Sequence, residues 1–217
     1  MPHPFVKICC ISSHEEARMA IRAGASALGL VSAMPSGPGV IEEDLIGEIA
    51  ARVPPPVATF LLTCARDAAT ILAQHERCRT SVIQLVDAVP EAELAALRRA
   101  LPGIRLVQVI HVTGEASVEE ARSLEGRVDA LLLDSGNPAL AVKELGGTGR
   151  VHDWTLSRRI VEGVDLPVFL AGGLHAGNVA GAVAAVGPFG LDLCSGVRTD
   201  RDLDPAKLTA FFRALEG

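Results

Sequence analysis

The chain has 217 residues, of which 49% are hydrophobic and only 3% aromatic, and its formal net charge is −6. This length fits one full domain or two small ones, and the hydrophobic fraction excludes a disordered chain. The acidic balance argues against nucleic acid or an anionic membrane surface as a partner. No apolar run approaches the ~20 residues of a membrane-spanning helix, and the first residues leave no room for a signal peptide. The five cysteines are odd in number and lack metal-site spacing, which predicts free thiols in a reducing cytoplasm, with no disulfide framework and no metal.

Short apolar strands alternate with helical segments along the whole chain. The predicted strands are 6–10, 27–33, 57–63, 82–86, 106–112, 128–134, 168–171 and a segment around Leu191, and a helix is predicted after each. Strands rich in Val, Leu, Ile and Ala are typical of parallel sheets buried on both faces. Eight strand–helix pairs therefore predict an α/β fold, a single (βα)8 TIM barrel spanning residues 1–217. A doubly wound open sheet is the main alternative, but its glycine fingerprint normally follows the first strand.

Two glycine turns follow the last two predicted strands. Gly172 and Gly173 follow strand 168–171, with a helix predicted behind them that contains Asn178 in its first turns, and Ser195 and Gly196 follow the strand around Leu191. A glycine turn in front of a helix start presents unpaired N–H groups and partial positive charge to an anion. The pair predicts a phosphate site after strands 7 and 8, and the alternative is that both turns are plain connections.

Residues able to move protons lie at the C-terminal ends of the predicted strands, where such barrels carry their chemistry. These residues are Cys9 or Cys10, His111, Asp134, Asp192 and Ser195. A thiolate base facing a carboxylic acid would suit proton transfer next to a carbonyl or imine. The alternative functions are a loop or helix cap for Asp134 and a small buried hydrophobic residue for Cys9.

Seven strings resemble the phosphoribosylanthranilate isomerase family of tryptophan biosynthesis, in the family's order and across nearly the whole chain. They are VKICC, AGASALGLV, VIQLV, VDALLLDS, GGTGRVHDW, LAGGLHAGNV and FGLDLCSGV. The resemblance implies a barrel without cofactor or metal. It also implies an Amadori rearrangement of N-(5-phosphoribosyl)anthranilate to 1-(2-carboxyphenylamino)-1-deoxyribulose 5-phosphate. We expect a small phosphorylated metabolite as ligand, and a monomer or homodimer.

The resemblance also implies roles for individual residues. Cys9 falls on the cysteine of the family's K-I-C-G strand and would be the general base, and Asp134 ends the L-L-L-D strand and would be the general acid. Strand alternation then points Cys9 into the barrel and Cys10 towards the helix layer. The phosphate would be held by Gly147, Thr148, Gly172, Gly173, Ser195 and Gly196. Further substrate-side candidates are Lys7, Gln84, His111, Asp192 and Arg198, with Asp192 orienting its neighbours.

The chain departs from the family pattern at the end of the site expected to bind anthranilate. Pro38 stands where the family has an arginine for the anthranilate carboxylate, and Gln108 stands where it has a lysine. We expect Arg198 or His111 to replace the missing cation, ahead of Arg150. Two alternatives follow from these departures: a paralogue that isomerises another phosphorylated sugar derivative, and a barrel that binds a phosphorylated metabolite without turnover.

Overall fold

The computed structural model describes residues 4–136 and 151–216, and within them eight parallel strands close into a barrel. The strands are β1 (Phe5–Ile8), β2 (Ala27–Val31), β3 (Ala58–Thr63), β4 (Val82–Leu85), β5 (Arg105–His111), β6 (Ala130–Asp134), β7 (Val168–Leu170) and β8 (Gly190–Leu193). They pair in sequence order, and β8 closes on β1. The predicted (βα)8 TIM barrel is confirmed, and the open-sheet alternative is excluded.

The helices form an outer layer around the barrel. They are α1 (His14–Ala23), α2 (Glu43–Ala50), α3 (Ala68–Cys78), α4 (Glu91–Ala100), α5 (Ala116–Ser123), α6 (Trp154–Gly163), α7 (Val179–Val186) and α8 (Pro205–Glu216). A 3-10 turn, Ser195–Val197, and a two-stranded ribbon, β9 (Arg198–Thr199) with β10 (Asp202–Leu203), lie between β8 and α8. Within the described part of the chain, no helix is both long and apolar enough to span a membrane.

The core has two layers because successive strand residues point to opposite faces. Leu28 and Leu61 belong to the layer between strands and helices, whereas Phe60 and Leu132 belong to a second cluster inside the barrel. Strands buried on both faces explain the continuous apolar runs in the sequence. Towards the start of the strands, the interior is filled by edge-to-face phenylalanine rings, including Phe60 against Phe169 at 6.1 Å.

Local capping explains where helices begin. Ser13 accepts a hydrogen bond from the Glu16 amide at 3.2 Å, as expected for the N-cap of α1. Asn178, in contrast, lies just before α7 and not inside its first turns. Its side chain donates to the Gly173 carbonyl at 2.9 Å and accepts from the His175 amide at 2.9 Å. Asparagine competes in this way with helical hydrogen bonding, so the loop after β7 is longer than predicted.

Candidate active site

A cavity opens at the C-terminal ends of the strands, with about 700 Å³ of empty space including its mouth. Seven of the residues predicted from sequence line it: Cys9, Gln84, Asp134, Gly172, Gly173, Asp192 and Ser195. Lys7, His111, Gly196 and Arg198 do not appear in its lining. Gly147, Thr148 and Arg150 lie outside the described residues.

Asp134 is the last residue of β6, and its carboxyl group is buried in the cavity wall. Burial raises the pKa of Asp134, the Ser135 amide opposes this by donating to Oδ1 at 2.7 Å, and the nearby Asp192 carboxylate raises it further. The net effect is a raised pKa, which favours the protonated form. Asp134 is therefore suited to donate a proton to a bound molecule.

Cys9 follows β1 and continues its pairing with β8, because its amide donates to the Leu193 carbonyl at 2.7 Å. Its sulfur lies over Gly29 of β2, where a β-carbon would approach it to 2.8 Å. A hydrogen bond from the Cys10 thiol lowers the pKa of Cys9, burial opposes this, and the Lys7 ammonium group lowers it again. The net effect is a lowered pKa, which brings the thiol closer to the thiolate form that a general base requires.

Lys7 is fully buried beneath this site. Its Nζ donates to Asp192 Oδ1 at 2.8 Å and lies 5.3 Å from the centroid of the Phe60 ring. Burial lowers the pKa of Lys7, but the charges of Asp192 and Cys9 outweigh burial, and the net pKa is raised. Lys7 remains a cation that acts on Cys9 through its charge, without lining the cavity.

The prediction that Cys10 faces the helix layer is wrong. Strand β1 ends at Ile8, and Cys10 has a left-handed backbone (φ 62°), so strand alternation does not extend to it. Its thiol lines the cavity, 2.8 Å from Cys194 Sγ. The family has a glycine at this position, and glycine adopts a left-handed backbone without strain. That glycine was the signal in the sequence that the strand does not continue through Cys10. Cys194 was not singled out by the sequence.

Arg198 is held in a buried ion pair and does not line this cavity, although it lines an adjoining one next to Cys10 and Ser195. Its guanidinium nitrogens contact Glu16 Oε1 at 2.7 Å and Glu16 Oε2 at 3.1 Å. They also donate to the Cys10 and Arg201 carbonyls, at 2.6 and 2.7 Å. This geometry does not support the interpretation of Arg198 as a replacement cation for a substrate carboxylate. Its contacts instead fix the backbone of the two cysteines.

Three other polar residues named in the sequence analysis, His111, Gln108 and Gln84, differ from one another in their contacts and in whether they line the cavity. His111 pairs in register with Asp134, and its Nε2 lies 3.0 Å from the Val86 carbonyl. Gln108 donates to three carbonyls, those of Leu85, Asp87 and Val109. Gln84 lines the cavity, and its side-chain oxygen is buried without a hydrogen-bond partner among the described residues. Gln84 is therefore available to a ligand, whereas Gln108 supports the strand ends.

The two glycine turns meet at one side of the cavity. Gly172 and Gly173 both have left-handed backbones, with φ of 82° and 63°. Gly196 packs directly against the loop after β7, because a β-carbon there would lie 1.9 Å from the Leu174 carbonyl oxygen. Glycine at 196 thus lets the turns after β7 and β8 approach each other, beside Ser195. The two turns predicted to bind an anion therefore lie together, although α7 begins only at Val179.

The fold and the site define a class of protein: a (βα)8 barrel whose cavity, at the C-terminal ends of the strands, is lined by a thiol of lowered pKa and a carboxyl group of raised pKa. Comparison with known proteins narrows this class. The family model for N-(5'phosphoribosyl)anthranilate (PRA) isomerase matches residues 6–214. A PRA isomerase from Methanocella arvoryzae is 35% identical over 207 residues, covering 95% of each chain. One from Desulforudis audaxviator is 37% identical over 211 residues, covering 96% of each. The chain belongs to the N-(5'-phosphoribosyl)anthranilate isomerase family, the isomerases of tryptophan biosynthesis.

Solved structures give the same result. The phosphoribosylanthranilate isomerase from Thermus thermophilus superimposes with a TM-score of 0.83, at 28% identity and with 98% of each chain covered. A second isomerase structure, at 25% identity and TM-score 0.81, covers 99% of each chain. That structure is a complex with reduced 1-(o-carboxyphenylamino)-1-deoxyribulose 5-phosphate.

Proposed function

We propose that this chain catalyses the rearrangement of N-(5-phosphoribosyl)anthranilate with Asp134 as general acid and Cys9 as general base. The observation that carries the proposal is a pair of opposite pKa shifts in one cavity. Burial raises the pKa of the Asp134 carboxyl, and the Cys10 hydrogen bond and the Lys7 charge lower that of the Cys9 thiol. Titratable groups whose environments push their pKa values apart are typical of acid–base assignments.

The proposed reaction moves protons without a net change in composition. Asp134 gives its proton to the ribose ring oxygen, the bond from that oxygen to C1′ breaks, and the nitrogen lone pair forms an iminium ion. Cys9 then removes the proton from C2′, and the electron pair flows towards the iminium nitrogen to give an enolamine. Tautomerisation places a proton on C1′ and leaves a ketone at C2′. Each proton transfer by a positioned group contributes about 10²–10⁴-fold to the rate.

Lys7 and Asp192 support this chemistry as positioning residues. Lys7 favours the Cys9 thiolate, and Asp192 holds Lys7 by an ion pair at 2.8 Å while its charge favours protonated Asp134. A buried ammonium group without a partner would be costly, so Asp192 also makes the buried lysine tolerable. The two groups thus belong to the proposed site although only Asp192 lines the cavity.

The proposal assigns the substrate phosphate to the turns at Gly172–Gly173 and Ser195–Gly196, with Gly147 and Thr148 as further candidates. The support is the close approach of these turns beside the cavity and the phosphorylated ligand named for the 25%-identical isomerase. Phosphate groups bind readily where backbone N–H groups converge. The phosphate end is thus the part of the site most similar to the family pattern.

The loop at Pro38 differs from the family pattern; it lines the cavity and also an adjoining one, together with Ser195, Arg198 and Arg201. Among residues 4–136 and 151–216, the cavity lining contains no Lys, Arg or His. A hydrogen bond to a charged group contributes about 1.5–3 kcal/mol, so we propose that the anthranilate carboxylate is bound more weakly than with an arginine at 38, by roughly 10- to 100-fold. The lack of a cation in this lining favours another phosphorylated sugar derivative as the alternative substrate.

The test is an assay of purified protein that follows the loss of anthranilate-type fluorescence, together with complementation of a strain lacking this isomerase. Cys9→Ala and Asp134→Asn should each lower kcat by about 10²–10⁴-fold. Cys78→Ser is the matched control, since Cys78 is buried outside the cavity, where burial raises its pKa to about 12. Full turnover in either site variant would contradict the assignment. An inactive wild type that still binds ribose phosphate would favour the non-catalytic binder.

We further propose that the protein works in the cytoplasm on a small phosphorylated metabolite, as a monomer or homodimer, without nucleic acid or a membrane. The odd number of cysteines, which lack metal-site spacing, and the net charge of −6 support this environment. Sedimentation of the purified protein would distinguish the two oligomeric states.

A further inference from the structure

Three cysteine sulfurs meet at the mouth of the cavity, and two of them are in direct contact. Cys10 Sγ and Cys194 Sγ are 2.8 Å apart, and both side chains line the cavity. Both cysteines are free. A disulfide bond measures about 2.05 Å, so the two sulfurs need to approach by only roughly 0.8 Å to be joined. Nothing in the proposed proton transfers uses Cys194.

The barrel itself holds this pair together. β1 and β8 are neighbours, with Ile8 opposite Leu193, and the Cys9 amide extends the pairing. Cys10 and Cys194 therefore leave adjacent parallel strands. Such strands are about 4.8 Å apart, within the 4.4–6.8 Å range of Cα separations in disulfides. The left-handed backbone at Cys10 brings its thiol to Cys194.

Cys10 is covered by the loop after β2, whereas Cys194 is partly exposed. A β-carbon at Gly39 would lie 2.5 Å from Cys10 Cβ, so the loop after β2 closes directly over Cys10. Arg198 fixes the Cys10 carbonyl from behind, at 2.6 Å. Cys10 is buried, and Cys194 has intermediate exposure. A small oxidant arriving through the cavity would meet Cys194 beside a fixed second thiol.

We propose that Cys10 and Cys194 form a reversible oxidation site, which a hydroperoxide converts into a disulfide that lowers the isomerase activity. Deprotonated Cys194 attacks a peroxide oxygen, the O–O bond breaks, and the products are a sulfenic acid and, for hydrogen peroxide, hydroxide that takes up a proton to become water. The Cys10 sulfur then attacks the sulfenic sulfur, forming the S–S bond and releasing a second water. The two thiols lose two protons and two electrons, and the peroxide gains them. A thiol reductant reverses the reaction by exchange.

Cys9 is excluded as the disulfide partner of Cys10 by the backbone. The peptide bonds of the described residues are all trans, and consecutive α-carbons across a trans peptide are about 3.80 Å apart. This is below the usual Cα separation of a disulfide. Oxidation should therefore join Cys10 to Cys194 and leave Cys9 as a thiol.

The disulfide affects catalysis through the neighbouring base. Cys194 contacts Cys10, and the Cys10 thiol donates the hydrogen bond that most lowers the pKa of Cys9. A Cys10 sulfur in a disulfide has no proton to donate. Loss of one hydrogen bond to a charged group corresponds to a decrease in activity of about tenfold or more at neutral pH. This consequence rests on the proposed function, whereas formation of the disulfide does not.

The experiment treats the full chain with hydrogen peroxide and analyses tryptic peptides without reduction. Peptides 8–18 and 160–198 contain the two cysteines and should appear joined, lighter than their sum by two hydrogen atoms. The joined species should persist in Cys9→Ser and in the control Cys64→Ser, and disappear in Cys10→Ser and Cys194→Ser. In parallel, wild-type activity should fall about tenfold and return with dithiothreitol. Cys194→Ser, compared with its own untreated activity, should show no such reversible loss.

Three outcomes would overturn the proposal. The first is the absence of joined peptides at peroxide doses that oxidise Cys9, and the second is a link confined to peptide 8–18. The third is an equal dithiothreitol-reversible loss in Cys194→Ser and wild type, which would remove the disulfide as the cause. If the untreated protein had no isomerase activity, the proposed function would fail, while the peptide analysis would still decide whether the oxidation site exists.

Discussion

Replacing Arg198 with methionine should destabilise the fold and should not act as the loss of a substrate contact. Arg198 and Glu16 side chains are only 8% and 10% exposed. Each Glu16 oxygen accepts from the guanidinium and from a backbone amide, Leu203 for Oε1 and Ser12 for Oε2, both at 2.8 Å. The substitution leaves this carboxylate buried without its cation.

The magnitude follows from the burial of the pair. Removing one partner of a buried ion pair costs about 3–5 kcal/mol, because the other charge stays buried and unpaired. For a domain of this size, each kcal/mol corresponds to about 2–4 °C in Tm, so we expect a decrease of about 6–20 °C. The double variant Glu16→Gln with Arg198→Met should lose less than the sum of the single variants, since the two groups are directly coupled.

The same pair predicts a pH dependence with a defined sign. Burial raises the pKa of Glu16, but Arg198 and the backbone amides outweigh it, and the net pKa lies below its ordinary value of 4.5. A depressed carboxyl pKa contributes stability that is fully present above the unfolded pKa and is lost as pH falls through the folded one. The wild type should therefore lose stability below about pH 4.5, and Arg198→Met should show a smaller acid-dependent loss.

The assay combines urea unfolding, followed by circular dichroism, with isomerase kinetics at neutral pH. Arg105→Met is the matched control, because Arg105 is 73% exposed and its pair with Asp129 lies at the surface. Surface pairs contribute about 0–1 kcal/mol, so this control should keep its stability. The reasoning would be refuted if Arg198→Met unfolded like wild type while its KM rose at constant kcat. That result would return Arg198 to the role of carboxylate-binding residue.

Two further predictions concern the phosphate end and the buried lysine. Gly173→Asp should abolish binding of ribose 5-phosphate in calorimetry, because it adds negative charge at a position with a left-handed backbone. The control is Gly181→Asp, on the exposed surface of α7 with open space around it. Equal binding by both variants would exclude the site. Lys7→Met should raise the pKa of Cys9, because in the wild type the Lys7 charge lowers that pKa. The change should be seen as an upward shift in the pH profile of iodoacetamide labelling. An unchanged profile would show that Lys7 does not act on Cys9.

The barrel was predictable because its strands are apolar on both faces and recur in eight units. The positions of Cys9 and Asp134 in the cavity lining agree with the sequence analysis, in which the strand ends offered Asp134 and either Cys9 or Cys10, and the family resemblance favoured Cys9. Cys10 was not, since strand alternation holds only within the strand and β1 ends at Ile8. No local sequence pattern predicts the left-handed backbone that directs the Cys10 thiol into the cavity.

The structural role of Arg198, an ion pair with Glu16, could not be predicted from the sequence for a different reason. Its partner Glu16 lies 182 residues earlier in the chain. The two meet only because β8 closes on β1 and brings the following turn against the start of α1. A cation missing at 38 and a cation gained at 198 look compensatory in the sequence, but the closed barrel directs Arg198 to the backbone of Cys9 and Cys10.

An ion pair to which neither Cys9 nor Asp134 belongs adds to the opposite pKa shifts of these two groups, after the larger effects of the Cys10 hydrogen bond on Cys9 and of burial on Asp134. The Lys7 charge lowers the pKa of Cys9, and the Asp192 charge raises the pKa of both Cys9 and Asp134. Among the causes acting on Cys9, Lys7 outweighs Asp192, and the net pKa is still lowered. Asp192 thus opposes the lowering of the Cys9 pKa, and Lys7 opposes the raising of the Asp134 pKa, in which burial is the largest cause. Held opposite each other on β1 and β8, the two charges act on both groups: Lys7 adds to the lowering of the Cys9 pKa, and Asp192 adds to the raising of the Asp134 pKa.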